Sequence, residues 1–130
     1  TKAASQRFET RVADVLRQSG ISFTTEEDAR SEGAAGPTPD FLFPEPVGLT
    51  LGGRSAGAIR WIDAKNFPHL GGGVVAKKLV NQATNNVAAF GPGAFVFAGG
   101  VAEGAPTYPG VAILDGSHLA ERPDRWPPAP

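Results

Sequence analysis

The sequence predicts an α/β domain in which helices flank a mixed central sheet. Apolar residues recur at helical spacing over residues 4–18 and again over 74–90. The segments between and after those stretches are short, and several are apolar on both faces, as strands covered by helices are. The resulting order is helix, strand, strand, strand, helix, strand, strand.

In the first helix Phe8, Val12, Val15 and Leu16 share one stripe at i, i+4, i+7 and i+8. Ser19-Gly20 ends it, with Gly20 suited to a left-handed cap. Ile21, Phe23 and Thr25 alternate with polar residues, which predicts a short strand running into the acidic cluster Glu26, Glu27 and Asp28. Ser31 to Pro37 is a glycine-rich loop. Thr38-Pro39-Asp40-Phe41-Leu42-Phe43 reads as a strand with Pro39 at an edge position, where no ladder donor is needed. Pro44 to Gly57 is a turn-rich connection or a short strand pair. Ala58 to Lys65 is the central strand, with Ile59 and Trp61 expected on one face and Ile62 and Ala64 on the other. The second helix starts near Val74 and runs to about Phe90, with Val75, Leu79, Ala83 and Val87 on its stripe, and Gly91-Pro92-Gly93 stops it. Residues 94–98 and 111–114 are two further buried strands. Residues 1–121 thus form a single domain and 122–130 a proline-rich tail or linker.

Length and composition bound the function. A chain of 130 residues is one ordinary domain, able to bury about two thirds of its unfolded surface. Seventeen glycines and twelve prolines predict many loops on a folded core. A formal charge of -1 excludes a histone-like binder driven by basic excess. With no cysteine, disulfides, zinc–thiolate sites and cysteine nucleophiles are excluded, and the two histidines, His69 and His118, are too few for a histidine-built zinc site. The uncharged stretch Val80 to Ala102 is interrupted by Asn81, Gln82, Asn85, Asn86 and the Gly91-Pro92-Gly93 break, so no membrane span is expected. No signal segment opens the chain, and methionine is missing even at position 1, as expected of a fragment or processed form.

Chemistry concentrates in three residues. Asp40 stands in an otherwise apolar strand. Asp63 and Lys65 lie two apart in the central strand, hence on one face, where isolated charge is expensive to bury. Were the strands of Asp40 and Asp63 to pair, two carboxylates would converge with a lysine beside them. Hard oxygen ligands with open water positions suit Mg²⁺ or Mn²⁺, and such a site can hydrolyse a phosphodiester. Other motifs fail. Gly71-Gly72-Gly73 lacks the Gly-Lys-Ser/Thr ending of a P-loop and reads as a hinge. Asp115, Ser117 and His118 are too close in sequence to form a triad by spacing alone. His69 is read as a loop residue and Trp61 as core. Arg30, Arg54, Arg60, Lys77 and Lys78 are the candidate phosphate contacts.

Thr38-Pro39-Asp40 followed by Ile62-Asp63-Ala64-Lys65 resembles the PD-(D/E)xK pattern. Together with Gly20-Ile21-Ser22-Phe23, Thr25-Glu26-Glu27-Asp28, Phe90-Gly91-Pro92-Gly93 and Ile113-Leu114-Asp115, it resembles the TPD-motif family of those restriction-endonuclease-like nucleases, which includes the codanin-interacting nuclease. The resemblance spans roughly residues 8–119. It implies an α-β-β-β-α-β core and a Mg²⁺-dependent nuclease, with Mn²⁺ able to substitute. Asp40, Asp63, the Ala64 carbonyl and Glu9 would be metal ligands, with Glu26 and Glu27 competing for the role of Glu9, and Lys65 would be the catalytic lysine. It places Gln82 at the site on the second helix, although Asn86 stands where relatives carry tyrosine. It further implies nucleic acid as partner, DNA ahead of RNA, a protein partner of codanin type, and a nuclear or cytoplasmic location. The rival expectation is a nuclease-fold scaffold that acts by binding a protein. A third is a phosphate-binding module without catalysis.

Overall fold

Thr1 opens the chain as a helix cap, its hydroxyl accepting the Ala4 amide at 3.1 Å. The computed structural model describes residues 1–70 and 73–120, so most of the expected glycine hinge and the whole of the 122–130 tail lie outside the described residues. Helix α1 (Lys2–Gln18) buries Phe8, Val12 and Leu16 on one stripe and ends at Ser19, followed by Gly20 at φ +73°. Next come β1 (Thr24–Thr25), α2 (Glu26–Ser31), β2 (Phe41–Leu51), β3 (Arg54–Lys65), α3 (Gly73–Phe90), β4 (Gly93–Phe97) and β5 (Val111–Asp115), then a single 3₁₀ turn at Ser117–Leu119.

The five strands form one mixed sheet in the order β1-β2-β3-β4-β5. The β1–β2 and β2–β3 pairs are antiparallel, and β3–β4 and β4–β5 are parallel. β3 is therefore central, as its apolar character predicts. On one face Phe8, Val12 and Leu16 of α1 pack with Phe41, Phe43, Ile62, Val96 and Leu114. On the other, Leu79 and Ala83 of α3 pack with Trp61, Phe95, Phe97, Tyr108 and Ile113. β4 shows the period of two plainly, sending Ala94 and Val96 to one cluster and Phe95 and Phe97 to the other.

Four expectations are corrected. The strand over residues 21–25 shrinks to Thr24–Thr25, because Thr25 and Asp28 form a reciprocal capping box that turns the acidic cluster into α2. The strand expected at 38–43 starts at Phe41 and continues to Leu51, so of the two alternatives for 44–57 the strand pair is realised, joined to β3 across the Gly52-Gly53 turn as one long hairpin. Both turn glycines have positive φ, +61° and +76°, the backbone a tight hairpin requires. Ile59 joins Ile62 in the α1-side cluster and is separated from Trp61. The reason is a break in register: Val47 pairs with Ile59 but Leu42 with Trp61, so five steps on β2 match two on β3 around Pro44 and Pro46, which lack ladder donors. Val75, expected on the buried stripe, is 51% exposed, and burial of that stripe begins at Leu79.

Candidate active site

The β2–β3 pairing does what the two separated motifs need. Phe41 pairs with Ile62, which sets Asp40 beside Asp63 at the end of the ladder. The two acids are tied reciprocally: Asp63 Oδ1 accepts the Asp40 amide at 2.9 Å, and Asp40 Oδ2 accepts the Ala64 amide at 2.8 Å. The Asp63 carboxylate thus orients the Asp40 backbone and the Asp40 carboxylate that of Ala64, the residue after Asp63, and oxygen lone pairs on both remain for a further partner. Helix α2 is joined to the same point, its Glu26 amide donating to the Asp40 carbonyl at 3.2 Å.

Lys65, two residues beyond Asp63, shares its face. Its Nζ lies 3.9 Å from Asp63 Oδ2 and 5.2 Å from the centre of the Phe95 ring, and it donates to Gln82 Oε1 on α3. One turn later on α3, Asn86 Nδ2 donates to Asp63 Oδ2 at 3.0 Å. These groups sit in a cleft of about 1060 Å³. Glu9 from α1 and Glu26 from α2 also line it, whereas Glu27 does not. The carboxyls crowd one another. Burial first, and then the neighbouring Asp63, push the Asp40 carboxyl up to about 8. Glu9 is raised by burial and then by Glu26 and Asp63. Asp63 is raised by burial, opposed by Lys65 and by its hydrogen bonds from Asp40 and Asn86.

A cleft lined by four carboxyls, Glu9, Glu26, Asp40 and Asp63, against two cations, Arg30 and Lys65, can use a positive guest. Among the described residues no three His, Cys, Asp or Glu side chains already form a ligand set. Mg²⁺ does not demand one, since it keeps several waters and is commonly held by one or two carboxylates. The locked pair Asp40 and Asp63 fits that donor set, and Ala64 and Glu9 also line the cleft.

Residues 1–116 match the family of proteins of unknown function defined by the TPD sequence motif, which in this chain reads Thr38-Pro39-Asp40. The chain belongs to this family. An uncharacterized protein of Acanthamoeba polyphaga mimivirus is 35% identical over 122 residues, which cover 94% of this chain and 44% of the viral protein. The chain therefore spans less than half the length of that relative. No solved structure matches.

In this TPD-motif protein the cleft gathers Asp40, Asp63, Ala64, Lys65, Glu9 and Gln82. The phosphate-contact candidates divide. Arg30 lines the cleft but is bound to Glu26 Oε1 through Nε at 2.9 Å and Nη2 at 2.6 Å. Arg54 donates to the Ile113 carbonyl and Arg60 to the Phe43 carbonyl, so both brace the sheet, and neither lines the cleft. Lys77 and Lys78 are exposed on α3, away from the cleft lining. His69 is more than a loop residue: it is 1% exposed, stacks on Phe97 with ring centres 4.4 Å apart, and its Nε2 is 2.7 Å from the Pro106 carbonyl. Trp61 is wholly buried, with Nε1 donating to the Gly91 carbonyl. Asn86 is the site residue that sequence reasoning missed. Its signal was available, since it is polar, one helical turn after Gln82, and beside the apolar positions Ala83 and Val87.

Proposed function

We propose that this cleft is the active site of a metal-dependent nuclease that hydrolyses phosphodiester bonds. The observation that carries the reading is the locking of Asp40, at the mouth of β2, against Asp63 and Ala64 of β3, with Lys65 on the same cleft wall. A buried ion pair used only for stability needs one acid and one base, and here two acids face one lysine. Asp40 and Asp63 would hold Mg²⁺ or Mn²⁺ together with several waters, with Glu9 of α1 standing in the same cleft. The bound ion would polarise a phosphoryl oxygen and acidify water.

The chain's own groups supply the rest. Gln82 Oε1 and Asp63 Oδ2 hold the Lys65 ammonium at the cleft wall, where it orients the attacking water and offsets charge developing on the phosphoryl oxygens. Asn86 fixes the Asp63 carboxylate without adding charge. Nucleic acid, DNA ahead of RNA, is the proposed substrate.

Asp63→Ala and Lys65→Ala are expected to abolish cleavage of oligonucleotides in Mg²⁺ or Mn²⁺ while leaving far-ultraviolet dichroism unchanged. Cleavage surviving both substitutions, or absent from the unsubstituted chain on every DNA and RNA form tried, overturns the reading. A second reading, a nuclease-fold scaffold for a protein partner, is favoured by a groove of about 510 Å³ in which Val80 and Val87 face Pro106 and Tyr108. Calorimetry with Mn²⁺ separates the two, because a pure scaffold has no reason to bind the ion in a way that Asp40→Ala removes.

A further inference from the structure

The chain that leaves the site is built unlike an ordinary loop. After Lys65 it reads Asn66-Phe67-Pro68-His69-Leu70. The Phe67 carbonyl accepts the Gly99 amide at 3.2 Å, the His69 amide donates to the Gly100 carbonyl at 2.9 Å, and the His69 carbonyl accepts the Ala102 amide at 3.1 Å. Pro68 presses so closely on Gly99 that a β-carbon there would lie 2.4 Å from the Pro68 nitrogen. The His69 ring is stacked against Phe97 beneath. The segment is therefore clamped, and Phe67 rides on it with one edge set against Phe97 at 5.8 Å between ring centres.

Phe67 is nonetheless 37% exposed. It lines the cleft, and it also lines a neighbouring groove of about 270 Å³ with Pro68, Leu70, Val75 and Leu79. A rigidly held aromatic ring thus joins the proposed catalytic pocket to an apolar recess. Charge narrows what can use the pair. The only cations lining the cleft among the described residues are Arg30, bound to Glu26, and Lys65, bound to Gln82. A duplex gripped by its phosphates needs several free cations. An unpaired base needs a flat apolar face, which every base can use.

We propose that Phe67 and the groove beside it form a subsite for an unpaired nucleobase next to the scissile phosphate, making single-stranded or locally unpaired nucleic acid the substrate class. This rests on the nuclease reading above for its place beside the chemistry, but not for its binding. The subsite works by stacking: the base lies against Phe67 while its phosphate reaches Lys65, two residues back along the chain. Preorganisation by Gly99, Gly100 and His69 means that little side-chain freedom is lost on binding.

The test titrates the full chain, with Ca²⁺ present, into a single-stranded oligonucleotide carrying one 2-aminopurine, and into the same strand within a duplex. Fluorescence quenching is expected for the single strand, with affinity falling about 5- to 150-fold in Phe67→Ala, the usual consequence of losing one base–aromatic stack. Phe67→Leu keeps the apolar bulk and should lose binding similarly, whereas Phe67→Trp should retain it. Unchanged quenching in Phe67→Ala and Phe67→Leu, or equal binding of the duplex, overturns the subsite. Cleavage in Mg²⁺ is scored separately. Phe67-dependent quenching by a chain that cuts nothing leaves the subsite standing and the nuclease reading fallen. Cleavage with a KM indifferent to Phe67→Ala has the reverse meaning.

Discussion

Asp40 is the residue on which the electrostatics of the site turn. Its ordinary pKa near 3.8 rises to about 8 through burial and the adjacent Asp63, so across that window the folded chain keeps a proton that the unfolded chain releases. Folded Asp40 therefore weakens the fold as pH rises. The penalty is absent below the unfolded value and complete above the folded one, growing by roughly 1.4 kcal/mol per pH unit in between. Raised values at Glu9 and Asp63 act in the same direction. Urea unfolding in EDTA from pH 5 to 9 is expected to show stability falling with pH, and Asp40→Asn should remove the largest part of that slope. Parallel pH profiles for the two proteins would count against the arrangement. At this scale the sequence was informative where a charge had no reason to be. Asp40 directly precedes the apolar run Phe41-Leu42-Phe43, Asp63 stands in an apolar strand, and Lys65 follows it at the strand period. Asn86 was harder to see because an amide on a helix has an ordinary solvated role available. Only the register of α3 against β3 turns it toward Asp63.

Helices and strands were recoverable where apolar period and length agreed, as in α1, α3 and β4. They were misjudged where local polar bonds or proline changed the period. Thr25-Glu26-Glu27-Asp28 looked like the end of a strand, yet Thr25 Oγ1 accepts the Asp28 amide and Asp28 Oδ2 accepts the Thr25 amide, each at 3.1 Å. That box nucleates α2, whose Glu26 and Arg30 form one lip of the cleft. Thr25→Ala should cost about 1 kcal/mol, read as a lower urea midpoint, and Thr25→Ser should largely restore it. An unchanged midpoint in Thr25→Ala would mean that the box is not formed in solution. The β2–β3 hairpin was obscured for a different reason. Pro44 and Pro46 left a turn-rich connection and a short strand pair equally open, and β2 tolerates both prolines by slipping register there. That slip also moves Ile59 to the α1 side.

The whole molecule is a sheet covered on both faces, with its candidate site assembled from three layers. α1 contributes Glu9, the β2–β3 pair contributes Asp40, Asp63 and Lys65, and α3 contributes Gln82 and Asn86. No helix of the described residues is long and apolar enough to cross a membrane. Charge is the global property that most constrains a nucleic-acid partner. The chain carries -1 overall, and several of its arginines are engaged with its own groups: Arg17 with Asp14, Arg30 with Glu26, Arg54 and Arg60 with backbone carbonyls. Long-range attraction for a polyanion is therefore weak, and under the proposed function binding would come from contacts inside the cleft. Each phosphate neutralised on a single strand contributes about -0.7 to the slope of log K against log salt. With Arg30 and Lys65 as the cleft cations, the slope for a short single-stranded oligonucleotide in EDTA should be about -1.4 or shallower. Fluorescence anisotropy between low and physiological salt measures it directly. A slope several times steeper would place the nucleic acid on basic residues outside the cleft, Lys77 and Lys78 first among them. Removing those two by alanine substitution would then flatten it, whereas binding seated in the cleft would be indifferent to their loss.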